Sequence, residues 1–385
     1  MAQKKNVSGG GSIRKRSNGT WEARCCIGYD SATGKLLRKS IYGKTQKEVR
    51  EKLRQMATEV DTGEYIEPCK QTLSAWLDDW LVEYLPNIKP HTRASYETIV
   101  RLHLKPALGN KKLCELTPVD VQKFVNRLCH TGLNPKTVKN IHGVLHRALN
   151  QALRIGFLRV NPAGVCNLPQ IVKNEITPLQ GNEVAAFLRA IHGERFEKLF
   201  FTALFTGMRQ SELLGLQWKD VDFNAGALYV RRQLQKEKVR AAYRFIEPKS
   251  GKPRKILPAP AVMTSLRKQR VAQNQLRLAA GSAWENADDL VFTNPFGQHL
   301  THMTVYKDFK RIIASIGLPN TRFHDLRHTF AVLSLQAGDD IKTVQENLGH
   351  HTAAFTLDVY GHVTDDMRHQ SANRMERFIQ SVVSS

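Results

Sequence analysis

The sequence predicts a multidomain, mainly α chain with small β elements, and three observations lead there. At 385 residues it exceeds what one ordinary core holds, pointing to two or three domains that fold without disulfide support. Its apolar residues change period, alternating around Trp21 and recurring every third or fourth position from Thr72 onward. Two linker-like runs, 64–70 and the turn-rich 161–169, then divide the chain into segments 1–65, 72–165 and 175–385.

In the first segment Trp21, Ala23, Cys25, Ile27 and Tyr29 alternate with Glu22, Arg24, Cys26 and Gly28, the period of a half-buried strand. Turn residues at 17–19 and at Gly34-Lys35 flank it, so a small three-stranded meander is expected from about Ser12 to Tyr42. Thr45, with Glu48 three residues on, reads as a capping box, and Val49, Leu53, Met56 and Val60 give the following helix one apolar stripe. That helix covers one face of the sheet. The other face is expected to carry Arg14, Arg16, Arg24, Arg38 and Lys39, because residues 1–54 hold 14 Lys/Arg against 4 Asp/Glu. Such a face lies in a DNA groove, or it is the solvated surface of a small structural module; the one-sided charge favours DNA.

The second segment is helical. Leu73, Trp76, Leu77, Trp80, Leu81 and Tyr84 mark one amphipathic face. Thr117-Pro118 and Asn134-Pro135 each place an N-cap before a proline at N1, opening helices that reach about Cys129 and Ile155. Four helices fit between 72 and 158. In the third segment helices are followed by a β stretch from about Ala227 to Leu257 and then by helices to the end.

A net charge of +22 and a pI near 9.9 call for a polyanionic partner, DNA first, although RNA or an acidic membrane surface would satisfy the same balance. Six cysteines without a CxxC pair support neither a zinc site nor a disulfide framework and read as reduced core thiols. Neither an apolar leader nor a run of about 18 apolar residues occurs, so a soluble, cytoplasmic protein is expected, nucleoid-associated when bound to DNA.

Six residues of the third segment stand in short, distinctive contexts. Arg209, in TGMRQSELLGL, follows an apolar helix (196–206) closed by Gly207, with Glu212 three residues on to orient it. Alone, that is an ordinary exposed ion pair. In HDLRHT, Phe323, Leu326, Phe330 and Leu333 form a core stripe, so His324 and Arg327 project together and can grip two oxygens of one phosphate. A satisfied core histidine and a His324/His328 metal pair are the alternatives, though no Glu completes an HExxH. His350 follows Gly349, the stop of a helix beginning near Ile341. Tyr360 lies ten residues further, where periodicity does not decide between a core and a poised role. Lys249 sits beside Gly251 between strands at 243–247 and 254–257, at an expected hairpin tip, ordinarily the place of a solvated lysine.

In this order the motifs resemble the tyrosine recombinases, the integrase family of phages and mobile elements, over 175–365. The resemblance implies that Tyr360 is the nucleophile, Arg209 and Arg327 the phosphate clamps, His324 and His350 the assisting imidazoles, and Lys249 the acid for the leaving oxygen. The chemistry agrees. A phenol with pKa of about 10 attacks a phosphodiester poorly until positive groups stabilise the phenolate and the pentacoordinate phosphorane. Attack would expel the 5′-hydroxyl and leave a 3′-phosphotyrosine that stores the bond energy. No cofactor, metal or ATP is then needed, and the chain has no GxxxxGKS/T loop.

The resemblance further implies an arm-type DNA-binding domain at 1–65, a helical core-binding domain at 72–165 and a mixed α+β catalytic domain at 175–385, the layout of integrases of lambda-like phages and conjugative transposons. Implied partners are double-stranded DNA with core and arm attachment sites, a homotetramer on that DNA, and an excisionase or host bending protein, with no membrane. A C-terminal helix bearing Met367, Ser371, Met375, Phe378 and Ile379 on one face would dock into a neighbouring protomer. His351 is a local departure, where the family commonly has a small hydroxyl residue. A type IB topoisomerase would share the tyrosine chemistry, but the arm-like domain and the tail argue against it. A DNA-binding regulator without catalysis is opposed by the presence of all six site residues.

Overall fold

The computed structural model describes residues 12–29, 34–62, 70–172, 177–236, 242–248, 251–350, 352 and 364–383. The chain forms two compact units, 1–172 and 173–385.

In the first unit β1 (Ser12–Lys15), β2 (Trp21–Tyr29) and β3 (Leu36–Gly43) make an antiparallel sheet in that order. Ala23, Cys25 and Ile41 pack with Val49 of helix α1 (Gln46–Asp61) into a small core. The expected capping box is half formed. Thr45 Oγ1 accepts the Glu48 N–H at 3.2 Å, but the Glu48 carboxylate reaches past Thr45 to the Lys44 N–H at 2.9 Å while pairing with Lys52 at 2.7 Å. Side chains alternate along a strand, so register decides each face. Arg38 lies opposite Cys26 on the open face, whereas Lys39 pairs with Cys25 and belongs to the helix side, against expectation. The core-thiol reading is corrected as well: of the described cysteines only Cys25 is buried, Cys26 is exposed by the same strand parity, Cys114 and Cys129 are exposed, and Cys166 is half-buried.

The rest of this unit is a helical bundle of α2 (Leu73–Glu83), α3 (Pro90–Ile99), α4 (Lys105–Leu108), α5 (Pro118–His130) and α6 (Pro135–Arg154). A π turn at Val100–Leu104 joins α3 to α4 without a break. Pro106 explains it: lacking an N–H and crowding the carbonyl of Leu102, it pushes the ladder to a wider spacing, and the Lys105 N–H bonds Val100 O. Thr117 and Asp120 form a full capping box, and Asn134 accepts the Lys136 N–H. Trp76 and Trp80 fill the core. Trp76 Nε1 donates to Ala148 O of α6 at 3.1 Å, and Trp80 stacks on Tyr96 of α3 at 5.8 Å.

The second unit is built around α8 (Glu197–Thr206), with α7 (Gly181–Ile191), α9 (Gln210–Leu214), α10 (Pro260–Ala280), α11 (His302–Ser315), α12 (Asp325–Ala337), α13 (Ile341–Leu348) and α14 (Thr364–Val383). Phe200 of α8 meets Phe187, Phe309 and Phe323 at centroid distances of 6.3, 5.9 and 6.1 Å. Its two buried threonines satisfy their hydroxyls on the helix itself, Thr202 on Lys198 O and Thr206 on Thr202 O. A helix apolar nearly all round is a central helix.

Strands β4 (Val221–Asp222), β5 (Ala227–Val230) and β8 (Arg254–Ile256) form one antiparallel sheet, while β6 (Gln233–Lys236) and β7 (Tyr243–Ile246) form another. This overturns the expected hairpin between 243–247 and 254–257. β7 pairs with β6 and β8 pairs with β5, so the two strands belong to different sheets. Partner choice was set by distant packing, with Ile256 buried opposite Leu228 and Tyr243 against His299 at 4.4 Å. Lys249 itself lies outside the described residues.

Trp76→Ala is expected to cost about 3–5 kcal/mol, the ordinary range for a fully buried tryptophan, with an unpaired Ala148 carbonyl at the upper end. Urea unfolding of the full chain checks this; a loss under about 1 kcal/mol would mean the bundle does not rest on that side chain.

Candidate active site

The site grows from the carboxyl end of α8. Gly207 ends that helix with φ of 61°, a left-handed conformation, and an added Cβ would lie 2.5 Å from Phe330 Cδ1 and 2.6 Å from Leu348 Cδ2. Only glycine fits there. The turn delivers Arg209 to the N-cap of α9, where its backbone N–H and its Nη1 both donate to Glu212, at 2.9 and 2.8 Å. Glu212 is fully buried and serves a second arginine: Arg254 of β8 donates from Nη1 at 3.0 Å and Nη2 at 2.6 Å. Burial alone would raise the Glu212 carboxyl, but the Arg254 hydrogen bond and charge, with Arg209 behind them, hold it down to about 2.

Arg327 is 2% exposed. Its Nη1 donates to Gly207 O at 2.8 Å and its Nη2 to Leu348 O at 2.6 Å, so one guanidinium joins the carboxyl ends of α8 and α13. Cationic donors are favoured there by orphan carbonyls and the helix dipole. Arg254 Nε adds a bond to Asn347 O at 2.8 Å, so two arginines grip the last turn of α13. Gly349, with φ of 63°, stops that helix, and the His350 N–H returns to Gln345 O at 3.1 Å while Gln345 Nε2 donates to His350 O at 2.8 Å. His350 is thereby held beside the two arginines.

His324 precedes α12, one turn before Arg327, and its ring meets that of His328 edge-on at 5.0 Å. The neighbouring carboxylate, Asp325, is turned away to the backbone N–H and guanidinium of Arg322, at 2.7 and 2.8 Å. Desolvation first, then His328, Arg327 and Arg209, pushes His324 down to about 4; desolvation, Arg327 and Arg209 push His350 to about 3. His328 also falls to about 4, through burial. At neutral pH all three imidazoles are uncharged. Among the described residues no group of three His, Cys, Asp or Glu is placed to hold a metal ion.

Thus Arg209, His324, Arg327 and His350 converge, each imidazole sensing both arginines. Lys249 and Tyr360 lie outside the described residues. Arg254 and His328 also belong to the cluster; the sequence offers His328 only as half of a metal pair with His324, and Arg254 only as a lone arginine opening a short apolar strand, which is too common to stand out. In the first unit Arg14, Arg16 and Arg24 gather on the open sheet face around Glu22, with Arg38 on the same face. On α14, Met375, Phe378 and Ile379 are exposed, while the side chains of Met367 and Ser371 are not among those described.

The Phage integrase family model matches residues 178–367, and the Phage integrase N-terminal SAM-like domain matches residues 72–129. A tyrosine recombinase XerC-like protein of Caldanaerobacter subterraneus subsp. tengcongensis is 32% identical over 88% of this chain and 90% of its own length. Among solved structures, the Tn1549 transposon integrase in complex with a circular intermediate DNA superposes with a TM-score of 0.68 at 24% identity, covering 79% of this chain and 99% of that one. A lambda integrase tetramer bound to a Holliday junction gives 0.55 at 19% identity, covering 89% and 96%. At these identities the two structures speak for the fold.

Two outcomes follow from the geometry. Gly207→Ala removes no charge, yet by displacing the carbonyl that holds Arg327 it is expected to lower strand cleavage on the order of 100-fold, while DNA affinity in gel shift stays within a fewfold. Unperturbed affinity with normal cleavage would sink that account. Each lowered imidazole makes the unfolded state the better proton binder below its ordinary 6.5, so stability is full above that pH and declines as pH falls toward 4. The DNA-free melting temperature is expected to drop over that window, and a His324→Gln/His350→Gln variant to show a shallower drop.

Proposed function

The chain belongs to the phage integrase family, the tyrosine recombinases, which cut and rejoin DNA at specific sites without metal or ATP, and from that premise we propose that Arg209, Lys249, His324, Arg327, His350 and Tyr360 form its strand-cleavage site. The observation that carries the reading is the convergence of two arginines and two neutral imidazoles from three separated stretches of one unit. The nearby carboxylates are otherwise engaged, because Glu212 is buried against Arg209 and Arg254 and Asp325 is turned to Arg322.

In the proposed step the phenolic oxygen of Tyr360 bonds to the scissile phosphorus as the bond from phosphorus to the 5′ oxygen breaks. The phenol proton passes to an imidazole of the site, and the leaving oxygen takes a proton from Lys249. Neutral imidazoles suit this role: they can accept a proton, and a bound phosphate raises their affinity for it by opposing the arginine charges that depress it. Arg209 and Arg327 stabilise the extra negative charge of the phosphorane from positions fixed before DNA arrives. The resulting 3′-phosphotyrosine is reopened by a 5′-hydroxyl of the partner strand, which restores both the tyrosine and the phosphodiester.

The substrate is double-stranded DNA of a mobile element, and the proposed layout assigns arm-site binding to residues 1–65, core-site binding to 72–165 and chemistry to 175–385. Within the first of these, Arg14, Arg16, Arg24 and Arg38 are the proposed DNA contacts; Lys39, by its register, is not on that face. A homotetramer on DNA is the proposed assembly, with an excisionase or host bending protein as its directing partner. No helix among the described residues is long and apolar enough to cross a membrane.

A nicked duplex from DNA flanking the chain's own gene, with EDTA and no ATP, is expected to yield a denaturant-resistant covalent adduct that Tyr360→Phe abolishes. An adduct surviving that change would remove Tyr360 as nucleophile. Lys249→Ala is expected to lose about 100-fold or more in cleavage rate, the usual scale for a general acid. A 5′-bridging sulfur, which leaves without protonation, is expected to restore most of that rate; absence of rescue would refute the acid assignment.

A further inference from the structure

The open face of the first unit's sheet holds a group that a merely basic surface does not need. Glu22 of β2 shares that face with Arg24 and Cys26, yet it is only 2% exposed. Its cover is a layer of cations. Arg14 donates from Nε at 2.9 Å and approaches with Nη2 at 2.8 Å, Arg24 donates from Nε at 3.3 Å, and Arg16 Nε lies 3.7 Å away. Ser40 Oγ donates to Oε1 at 3.0 Å from β3, and the Arg16 guanidinium lies 5.5 Å over the Tyr42 ring. The arginine side chains themselves stay 46–60% exposed. The carboxylate is therefore enclosed while the guanidinium groups above it remain open to solvent. The Arg14 hydrogen bond, ahead of the opposing effect of burial, holds Glu22 at about 2, so it is ionised at any working pH.

We propose that Glu22 is a positioning residue for DNA recognition, fixing Arg14 and Arg24 so that their outward N–H edges read base edges in a groove. This deepens the reading of residues 1–65 as a DNA-binding domain and rests on it. An unrestrained arginine has large rotamer freedom and neutralises whichever phosphate is in reach, whereas one anchored at Nε has its plane set beforehand and presents a fork that matches guanine O6 and N7. The anchor has an opposite effect on indiscriminate binding, because a negative charge beneath the face lowers its attraction for phosphate. Specific and non-specific affinity should thus respond to its removal with opposite signs, which a stability role alone does not produce.

The test uses the full-length chain, its Glu22→Gln variant, which keeps the side-chain shape, and an Arg14→Ala/Arg24→Ala double variant. Each is titrated over a salt series with two probes, a randomised duplex pool and the duplexes that the unaltered chain enriches from that pool. Glu22→Gln is expected to bind the unselected pool severalfold more tightly, with a salt dependence steeper by about one unit, and to lose about tenfold of its preference for the enriched duplexes. The double variant is expected to lose preference and non-specific affinity together. If the double variant keeps full preference, the sheet is not the reading surface and both proposals fall. If it loses preference while Glu22→Gln keeps it, the sheet reads DNA and only the positioning role is overturned. A Glu22→Gln variant that melts early and weakens toward both probes alike would also overturn it.

Discussion

One buried guanidinium organises the second unit. Arg327 spans the carboxyl ends of α8 and α13, and the bonds to Gly207 O and Leu348 O satisfy carbonyls that neither helix can pair internally. Hydrogen bonds to a charged group contribute about 1.5–3 kcal/mol each, so this residue is a structural tie as well as a cation. Everything at the site hangs on that tie. Gly207 leads directly to Arg209, Gly349 leads directly to His350, and His324 stands one helical turn before Arg327 on α12.

A second constraint recurs in both units. Buried carboxylates lie beneath arginines: Glu22 under Arg14, Arg16 and Arg24, Glu212 under Arg209 and Arg254, and Asp220 with Arg231 and Arg232. In a chain of net charge +22 this sets the planes of selected guanidinium groups at the cost of some attraction for DNA. Many lysines, such as Lys105 with Asp78 and Lys112 with Glu115, instead pair at the surface where the contribution is small.

The imidazoles follow from the same crowding. Burial and nearby permanent cations, Arg327 and Arg209 for His324 and His350 and Arg327 and Arg322 for His328, leave the three imidazoles neutral, so the site carries its positive charge on groups that cannot lose it. In the proposed cleavage step, an incoming phosphate would meet two fixed cations and imidazoles able to exchange a proton. A pair of ordinary surface histidines would lack that poise.

Much of this was legible in the sequence because it is local. Periods of two and of three to four, the Thr117-Pro118 and Asn134-Pro135 caps, and the glycine stops at Gly207 and Gly349 each depend on a few neighbouring residues, and the order of the short polar motifs carried the family. What the sequence could not decide was which side chains share a face or a partner across long separations. Lys39 falls on the helix side because its face is set by its pairing with Cys25 of the neighbouring strand. The strands around Lys249 were read as a hairpin because neighbours in sequence were assumed to pair, whereas packing of Ile256 on Leu228 sent them to different sheets. Arg254 was passed over because its importance comes from Glu212 and Asn347, 42 and 93 residues away. Residue types and local geometry were determined by the sequence alone; the neutral imidazoles, the buried arginine tie and the carboxylates beneath the cations exist only where burial and distant charges meet, and tertiary structure decides that.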